Sequence, residues 1–385
     1  MQARLGIEPT SKRTTLLPLA MAATAGALSL ARCDQPDPVL PPSMAWNGVS
    51  YLATWSVTDR RGVAVYVHRF GDARSHIVTR KDPPIVRSTE IRTRPQLLPG
   101  RDGFLLVYNQ GDEPGEPDWH PRRELVATPL DRDGAVTGEP QRTPPWLSPD
   151  GLCQSPVWNG AAHVLGYVER GRHHRHPHDT LGLIFLGPRG TYLDRRLLET
   201  GLFGQCVLAL RGDVIALATT RWSSTNGAWV RVDFVAADTG RELADGPVLD
   251  LAEGWPRIGL QPYRDGWAVL YQDDQRVIRL VRFDQQAILE NLALPDDIDP
   301  RSMDLGVNDR GLFVTWLADG KTHLRGVTSG SREHTAPTGG TSGGTRAIGH
   351  DGECAVAWSN HDGTRLRLLT ATACPRVAPG EADAP

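Results

Sequence analysis

A short pattern of residues recurs along the chain, and it restricts the fold more than any other feature. Each copy has a turn that ends in glycine, followed by alternating residues that end in an aromatic side chain. The clearest copies run from Trp46-Asn47-Gly48 to Trp55 and from Trp158-Asn159-Gly160 to Tyr167. The turn glycines lie 41 to 57 residues apart, at positions 48, 103, 160, 212, 266, 311 and 352. A period of this length is typical of β-propeller blades joined by loops of variable length.

The pattern predicts a hairpin at each copy. Asn-Gly and Asp-Gly pairs favour the positive φ values that a two-residue hairpin turn requires. The strand after the turn is apolar on both faces in several copies, for example from Phe104 to Tyr108, as expected of a sheet packed between two neighbours. A third strand follows each copy, and a fourth, more polar strand would complete the sheet. The copy at Arg211-Gly212 is weaker because it lacks the aromatic residue.

These repeats predict an all-β protein, a β-propeller of seven four-stranded blades, with six or eight blades as alternatives. The abundance of glycine (40 residues) and proline (30 residues) suits many short strands joined by turns. The last repeat ends near Cys374 without room for a fourth strand, so we expect Asp37 to Met44 to pair with the final blade and close the ring. The propeller then spans residues 44–374, residues 34–43 form a tether or closing strand, and residues 375–385 form a disordered tail.

Residues 1–33 have the layout of an export signal. Arg4, Lys12 and Arg13 precede an uncharged apolar stretch, which a secretory signal requires. The stretch ends in Leu30-Ala31-Arg32-Cys33, which resembles a bacterial lipobox and implies lipidation of Cys33, although Arg32 stands where that pattern has a small residue. We expect a lipoprotein at the outer membrane or cell surface, touching the membrane only through its lipid. The alternative is an ordinary secretory signal and a periplasmic or secreted protein.

The four remaining cysteines predict disulfides, because their number is even and the chain carries an export signal. Three pairings are open. Repeat position favours Cys153 with Cys206, which begin neighbouring repeats, and Cys354 with Cys374, which would join the last hairpin.

The Trp-Asn-Gly repeats resemble those of bacterial cell-surface and lipoprotein β-propellers. The resemblance covers residues 44–374, and two copies carry the full Trp-Asn-Gly. It implies a propeller fold and a place at the cell envelope, and it implies no reaction.

Two insertions between second and third strands carry the candidate binding residues. The segment Gln110 to Arg123 could hold Ca²⁺, grip an amine or stack on a sugar. Its candidate residues are Asp112, Glu113, Glu116, Asp118, Trp119 and His120.

The second insertion could bind Zn²⁺ or Cu²⁺. Its candidate ligands are His173, His174, His176, His178 and Asp179. For both insertions the alternative is a solvated polar loop. Because they interrupt the same junction in consecutive repeats, we expect them on one face of the ring, which is the predicted binding surface.

The function hypotheses follow from charge and from the motif search. A net charge of −3 with scattered arginines argues against a nucleic-acid partner. The sequence contains no nucleophile elbow, zinc-protease motif, P-loop or dinucleotide fingerprint. We therefore predict a monomeric, non-catalytic propeller that binds a protein or glycan at the cell envelope, with no cofactor beyond the metal considered above. The alternative is a polysaccharide hydrolase or lyase whose carboxylates meet in the central channel.

Overall fold

The computed structural model shows an all-β protein built from 29 strands in the described part of the chain. It describes residues 42–70, 76–79, 83–89, 91, 95–111, 123–144, 147, 149, 151–169, 178–223, 227–252, 257–327, 333–337, 344–350, 353–359 and 365–371. These residues include no helix, and hence no helix that is long and apolar enough to cross a membrane.

The strands form antiparallel sheets, which we number in chain order of their first strands. Sheet 1 contains β1 (Ser43–Trp46), β2 (Tyr51–Asp59), β3 (Gly62–Phe70) and β5 (Val86–Ser88). Sheet 2 contains β6 (Gln96–Pro99), β7 (Phe104–Gly111), β8 (Arg123–Leu130) and β9 (Gln141–Arg142). Sheet 3 contains β10 (Gly151–Leu152), β11 (Val157–Trp158), β12 (His163–Glu169), β13 (Asp179–Leu186) and β14 (Tyr192–Gly201).

The other sheets repeat this order. Sheet 4 contains β15 (Phe203–Arg211), β16 (Val214–Ser223), β17 (Gly227–Ala236) and β18 (Glu242–Leu251). Sheet 5 contains β19 (Gly259–Tyr263), β20 (Gly266–Gln272), β21 (Ile278–Phe283) and β22 (Ile288–Ala293). Sheet 6 contains β23 (Asp304–Asn308), β24 (Gly311–Ala318), β25 (Lys321–Gly326) and β26 (His334–Pro337). Sheet 7 contains β27 (Arg346–His350), β28 (Glu353–Ser359), β29 (Arg365–Ala371) and β4 (His76–Thr79).

The repeats seen in the sequence are confirmed as sheets. Each begins with a strand before the turn, and the second and third strands lie where the alternating pattern predicts them. The weak copy at Arg211-Gly212 forms a regular hairpin between β15 and β16, which pair from Phe203 to Arg221. The missing aromatic residue therefore does not mark a missing sheet, because the strand after this turn is still buried and apolar from Ile215 to Ala218.

The turn glycines serve two purposes where the sequence predicted one. Gly48 and Gly160 have φ values of +94° and +95°, and they lie in four-residue loops instead of the expected two-residue turns. In contrast, Gly103 and Gly266 are not among the positive-φ glycines. A Cβ on Gly103 would lie 2.2 Å from the carbonyl oxygen of Leu130 in the third strand. Glycine is needed at these two positions because neighbouring strands approach closely there. The sequence pattern had predicted a different reason, the geometry of the turn.

Ring closure differs from the prediction. Ser43 and Met44 pair with Thr54 and Ala53 of β2, so they belong to sheet 1 and not to the last sheet. The fourth strand of sheet 7 is β4, which follows β3 in the chain and pairs with β29. The physical reason is the short loop after Trp46, because such a loop forces the residues on its two sides to pair. Residues 34–41 and 375–385 lie outside the described residues.

Apolar clusters fill the spaces between neighbouring sheets all round the ring. Between sheets 4 and 5, Phe234 packs with Trp267, with ring centroids 5.0 Å apart. Between sheets 7 and 1, Ala355 packs in a cluster that includes the stacked rings of Trp55 and Tyr66. In the described part of the chain, every sheet shares one such cluster with each of its two neighbours. The sheets therefore form a closed β-propeller with the first strands around a central channel.

The disulfides can be followed for three cysteines. Cys153 and Cys206 form a disulfide between sheets 3 and 4, the pairing that their repeat positions predict. Cys354 is also disulfide-bonded. Its predicted partner, Cys374, lies outside the described residues, as does Cys33.

Candidate functional site

A cavity of about 510 Å³ lies in the central channel. The first strands of sheets 1, 2, 3, 4, 5 and 7 all contribute to its lining. Most of the lining residues are apolar, and among them Val157, Leu210 and Ile348 are half-buried, whereas the side chains of Leu97 and Leu208 are buried in the clusters between sheets. This volume lies within the range of sites that bind small molecules or short chain segments.

Two tryptophans stand at the end of the cavity where first and second strands are joined. Trp46 and Trp158 are each half-buried, and each precedes an Asn-Gly loop. In the first loop, the side-chain oxygen of Asn47 accepts hydrogen bonds from the N–H groups of Val49 and Ser50, both at 3.0 Å. Asn159 makes the same pair of bonds in the second loop. The repeated asparagine thus fixes the loop and, through it, the position of the tryptophan before it.

A histidine supports the second tryptophan from behind. The rings of His163 and Trp158 lie 4.6 Å apart, across the hairpin between β11 and β12. His163 is only 1% exposed. Burial lowers the pKa of His163 to about 4, although backbone hydrogen bonds to Pro188 and Pro99 partly oppose the shift. The ring is therefore neutral at physiological pH, and it packs against the indole ring of Trp158.

The opposite end of the cavity is closed by a segment that departs from sheet 3. β10 and β11 both pair with β12, and between them Cys153 still donates its N–H to the carbonyl of Gly166 in β12 at 2.9 Å, whereas Gln154 bonds to β15. We call residues 153–156 the crossing segment. Its Gln154 N–H donates to the carbonyl of Cys206 at 2.8 Å, and the Leu208 N–H donates to the carbonyl of Gln154 at 3.0 Å. The segment therefore adds a short parallel pairing to the channel-facing edge of β15.

The crossing segment is also tied to sheets 2 and 7. The side-chain amide of Gln96 donates to the carbonyl of Cys153 at 3.0 Å. From the other side of the channel, the Arg346 guanidinium donates to the Gln154 side chain at 3.1 Å and to the Ser155 hydroxyl. Ser155 has a φ of +56°, a conformation that costs energy for a residue other than glycine. Contacts from sheets 2, 4 and 7 hold this strained segment across the channel.

Arg346 carries a positive charge to the floor of the cavity. Its side chain is 13% exposed and its hydrogen-bond partners, Gln154 and Ser155, are neutral. Asp304 lies 3.7 Å from it, but the Asp304 carboxylate also accepts a hydrogen bond from the N–H of Ala347 at 2.8 Å. Arg346 therefore combines two hydrogen bonds to neutral groups with an ion pair to the buried Asp304.

A second arginine shares the same carboxylate. Arg257 is buried and donates to the carbonyl of Thr345 at 3.1 Å. Burial lowers the pKa of Arg257 to about 10, Asp304 raises it, and the charge of Arg346 lowers it further. Asp304 thus interacts with both guanidinium groups beneath the cavity, and Asp299 also raises the pKa of Arg257. Arg101, an exposed residue at the opposite end of the cavity, adds a further positive charge to the lining.

The candidate residues chosen from the sequence lie elsewhere. The acidic and aromatic residues of the first insertion, at 112, 113, 116, 118, 119 and 120, are outside the described residues, and so are His173, His174 and His176. His178 is exposed and Asp179 begins β13. Within the described ranges, no group of three or more metal-ligating side chains is brought together. The described residues on either side of each insertion lie at the far ends of the second strands, away from Trp46 and Trp158.

Sequence reasoning missed the cavity floor. Arg346 and Ser155 are 191 positions apart, and no local pattern connects them. The two tryptophans mark repeats in the sequence. Their recurrence before Asn-Gly loops is the one sequence signal from which these lining residues could have been found. Among the described lining residues of this cavity none is Asp or Glu, so it does not supply the paired carboxylates that the hydrolase alternative requires.

Comparisons with known proteins find similarity at the level of structure only. No family model and no curated protein matches the sequence. A subtype N10 neuraminidase-like protein of A/little yellow-shouldered bat/Guatemala/060/2010 is 9% identical with a TM-score of 0.49, covering 77% of this chain and 98% of its own. The β-propeller domain of the trilobed protease from Pyrococcus furiosus is 12% identical with a TM-score of 0.46, covering 87% and 95%. A Trypanosoma rangeli sialidase is 8% identical with a TM-score of 0.46, covering 87% of this chain and 54% of its own.

Similarity at this level carries no argument about activity. The strand pairing and the cavity themselves define the class of this protein: a β-propeller with a ligand-sized cavity in its central channel.

Proposed function

We propose that this protein is an exported, non-catalytic propeller that binds a ligand at the cell envelope, and that the channel cavity is its binding site. The observation that carries the proposal is the cavity of about 510 Å³ with aliphatic walls, two tryptophans and two arginines. Such a combination of apolar lining and a few placed polar groups is typical of ligand sites. Export rests on the signal-like residues 1–33, and anchoring rests on lipidation of Cys33.

Between the two ligand classes predicted from the sequence, the lining favours a protein over a glycan. A glycan needs many hydrogen-bonding partners, but two of the polar side chains at the cavity, Ser43 and Gln261, are already bonded within the protein. Ser43 accepts from the N–H of Leu97 at 3.0 Å, and the Gln261 side chain donates to the carbonyl of Leu305 at 2.9 Å. Aliphatic walls are better suited to the apolar side chains of a protein segment.

We further propose that the ring has seven blades. Six sheets have four strands each, and sheet 3 has five because its first strand is divided. β10 pairs with residues 167–168 of β12 and β11 with residues 163–164, so together they occupy the place of one first strand. On this interpretation sheet 3 is an ordinary blade with an interrupted inner strand.

The binding proposal can be tested with a variant that fills the cavity. Leu210→Trp places a larger side chain in the lining, whereas Val248→Trp makes the same kind of change on the outer strand β18, where Val248 is 62% exposed. Immobilised mature protein would be incubated with an envelope extract, and retained proteins identified by mass spectrometry. We expect the wild type and Val248→Trp to retain the same protein and Leu210→Trp to lose it. Equal retention by all three would reject the cavity as the site. Parallel glycan arrays test the other ligand class.

A further inference from the structure

The charge at the cavity floor identifies the part of a ligand that would bind there. Arg346 has five N–H donors, and it donates to two neutral groups, Gln154 and Ser155. Its ion partner, Asp304 at 3.7 Å, also interacts with the Arg257 guanidinium, so the two arginines together carry more positive charge than this carboxylate balances. Arg101 is the other charged residue in the lining, and it is also positive. A cavity with aliphatic walls and a cationic floor is complementary to a molecule with an apolar body and an anionic end. A guanidinium binds a carboxylate through two parallel hydrogen bonds.

The channel-facing edge of β15 continues past the crossing segment, which already takes the N–H of Leu208. The N–H of Leu208 points into the channel, because it donates to the carbonyl of Gln154 in the crossing segment. Backbone groups alternate along a β-strand, so the N–H of Leu210, two residues further along β15, points to the same side. Leu208 and Leu210 both line the cavity. The crossing segment thus shows, within this molecule, how an extended peptide pairs with the channel-facing edge of β15.

Together these two observations point to one occupant. Resting on the binding function proposed above, we infer that the cavity takes the C-terminal end of a protein chain with apolar side chains, and that Arg346 binds its terminal carboxylate. The apolar side chains contact the aliphatic lining, and the backbone pairs with the edge of β15. An amidated terminus places no negative charge on Arg346, so the site selects for a free carboxylate.

The inference is tested with two probes that differ only at the terminus. The probes are the acetylated tripeptide Ac-Ala-Leu-Leu with a free carboxylate and the same tripeptide with a C-terminal amide. Binding to the mature wild-type protein would be measured by calorimetry and by tryptophan fluorescence. Loss of a charge-assisted bidentate pair is expected to weaken the amide roughly 10- to 100-fold. Equal binding of the two probes, or binding of neither, would overturn the inference.

Variants separate recognition by Arg346 from its structural contact with the crossing segment. Arg346→Gln should remove the preference for the acid, and Arg189→Gln, an exposed arginine in the loop after β13, should leave it intact. Ser155→Ala removes a partner of Arg346 and keeps its charge, so the acid should still bind more tightly than the amide. If Arg346→Gln keeps the preference, the carboxylate is bound elsewhere. Failure of the tripeptides alongside retention of a Leu210→Trp-sensitive protein would reject this inference and leave the binding function standing.

Discussion

His163 links the wall of the cavity to pH. In the folded protein its pKa is about 4, against an ordinary value of 6.5, and burial is the main cause. The unfolded chain therefore binds a proton between pH 6.5 and pH 4 that the folded chain does not bind. The contribution of this residue to stability is complete above pH 6.5 and is lost as the pH falls towards 4.

The expected loss can be measured by urea unfolding. Integrating the proton-binding difference gives a decrease of about 2 kcal/mol in unfolding free energy between pH 7 and pH 5. Glutamine does not titrate in this range. Between pH 7 and pH 5, the unfolding free energy of His163→Gln should therefore fall by about 2 kcal/mol less than that of the wild type. Parallel pH dependences for the wild type and the variant would show that His163 does not keep its low pKa in the folded state.

The turn glycines give a second prediction at the scale of single residues. Gly266 has no room for a side chain, because a Cβ would lie 2.0 Å from the carbonyl oxygen of Phe283. Gly48 has open space around the Cβ position, but its φ is +94°. We expect Gly266→Ala to destabilise the protein by about 3 kcal/mol or more, through displacement of β21. We expect Gly48→Ala to cost about 1 kcal/mol, from backbone strain alone. Chemical denaturation of both variants measures the difference, and a larger cost for Gly48→Ala would contradict this assignment.

These glycines show what a sequence pattern can and cannot reveal. The Asp-Gly and Asn-Gly pairs correctly predicted where the chain reverses. They did not reveal why glycine is present, because the carbonyl that excludes a side chain at Gly103 belongs to Leu130 in another strand. Local turn chemistry can be read from neighbouring residues, whereas close approach depends on which strands pair.

At the scale of elements, the crossing segment departs from the regular pairing of sheet 3 and bonds to sheets 2, 4 and 7. The disulfide between Cys153 and Cys206 fixes one of its ends across a sequence separation of 53 residues. Cross-linking a loop of this length stabilises a protein by about 4 kcal/mol, chiefly by restricting the unfolded chain.

Removing this disulfide should affect both stability and the cavity floor. The double variant Cys153→Ala/Cys206→Ala is expected to lose about 4 kcal/mol of unfolding free energy. Because the crossing segment positions Ser155 against Arg346, the variant should also bind Ac-Ala-Leu-Leu more weakly than the wild type under conditions where both are folded. Unchanged affinity for the tripeptide would show that the disulfide does not hold the floor in place.

Repeat analysis predicted the elements on either side of this segment and missed the break itself. The pairing of Cys153 with Cys206 followed from their equivalent positions in neighbouring repeats. The departure of the crossing segment from regular pairing had no comparable signal, because its hydrogen-bond partners lie in sheets 2, 4 and 7. The periodicity of the sequence predicts the strands within each sheet. It does not predict hydrogen bonds between different sheets across the channel.

At the scale of the whole molecule, the described part of the ring closes through β4, and Ser43 and Met44 pair with β2 instead of the last sheet. Removing residues 34–41 should therefore leave the melting temperature of the mature domain unchanged. Proline at position 77 or 78 should lower it, because backbone donors alternate along a strand and one of these two positions donates to β29. Gln285→Pro, in the exposed turn between β21 and β22, is the matched control. If the truncation destabilises the ring and neither proline does, closure uses the N-terminal segment.

The propeller places two candidate binding regions at opposite ends of its strands. The described residues Gly111 and Glu169, after which the insertions begin, lie at one end, and the tryptophans of the cavity stand at the other. We assign ligand binding to the channel between them, with Arg346 and the crossing segment as the floor.

Hydrogen–deuterium exchange with and without Ac-Ala-Leu-Leu tests this assignment most directly. We predict slower exchange on binding at residues 153–158, 206–210 and 346–348, which surround the cavity, and unchanged exchange at the outer strand β22. Slower exchange confined to residues 112–122 and 170–177, with no change in the first strands, would contradict the assignment and return the binding site to the insertions.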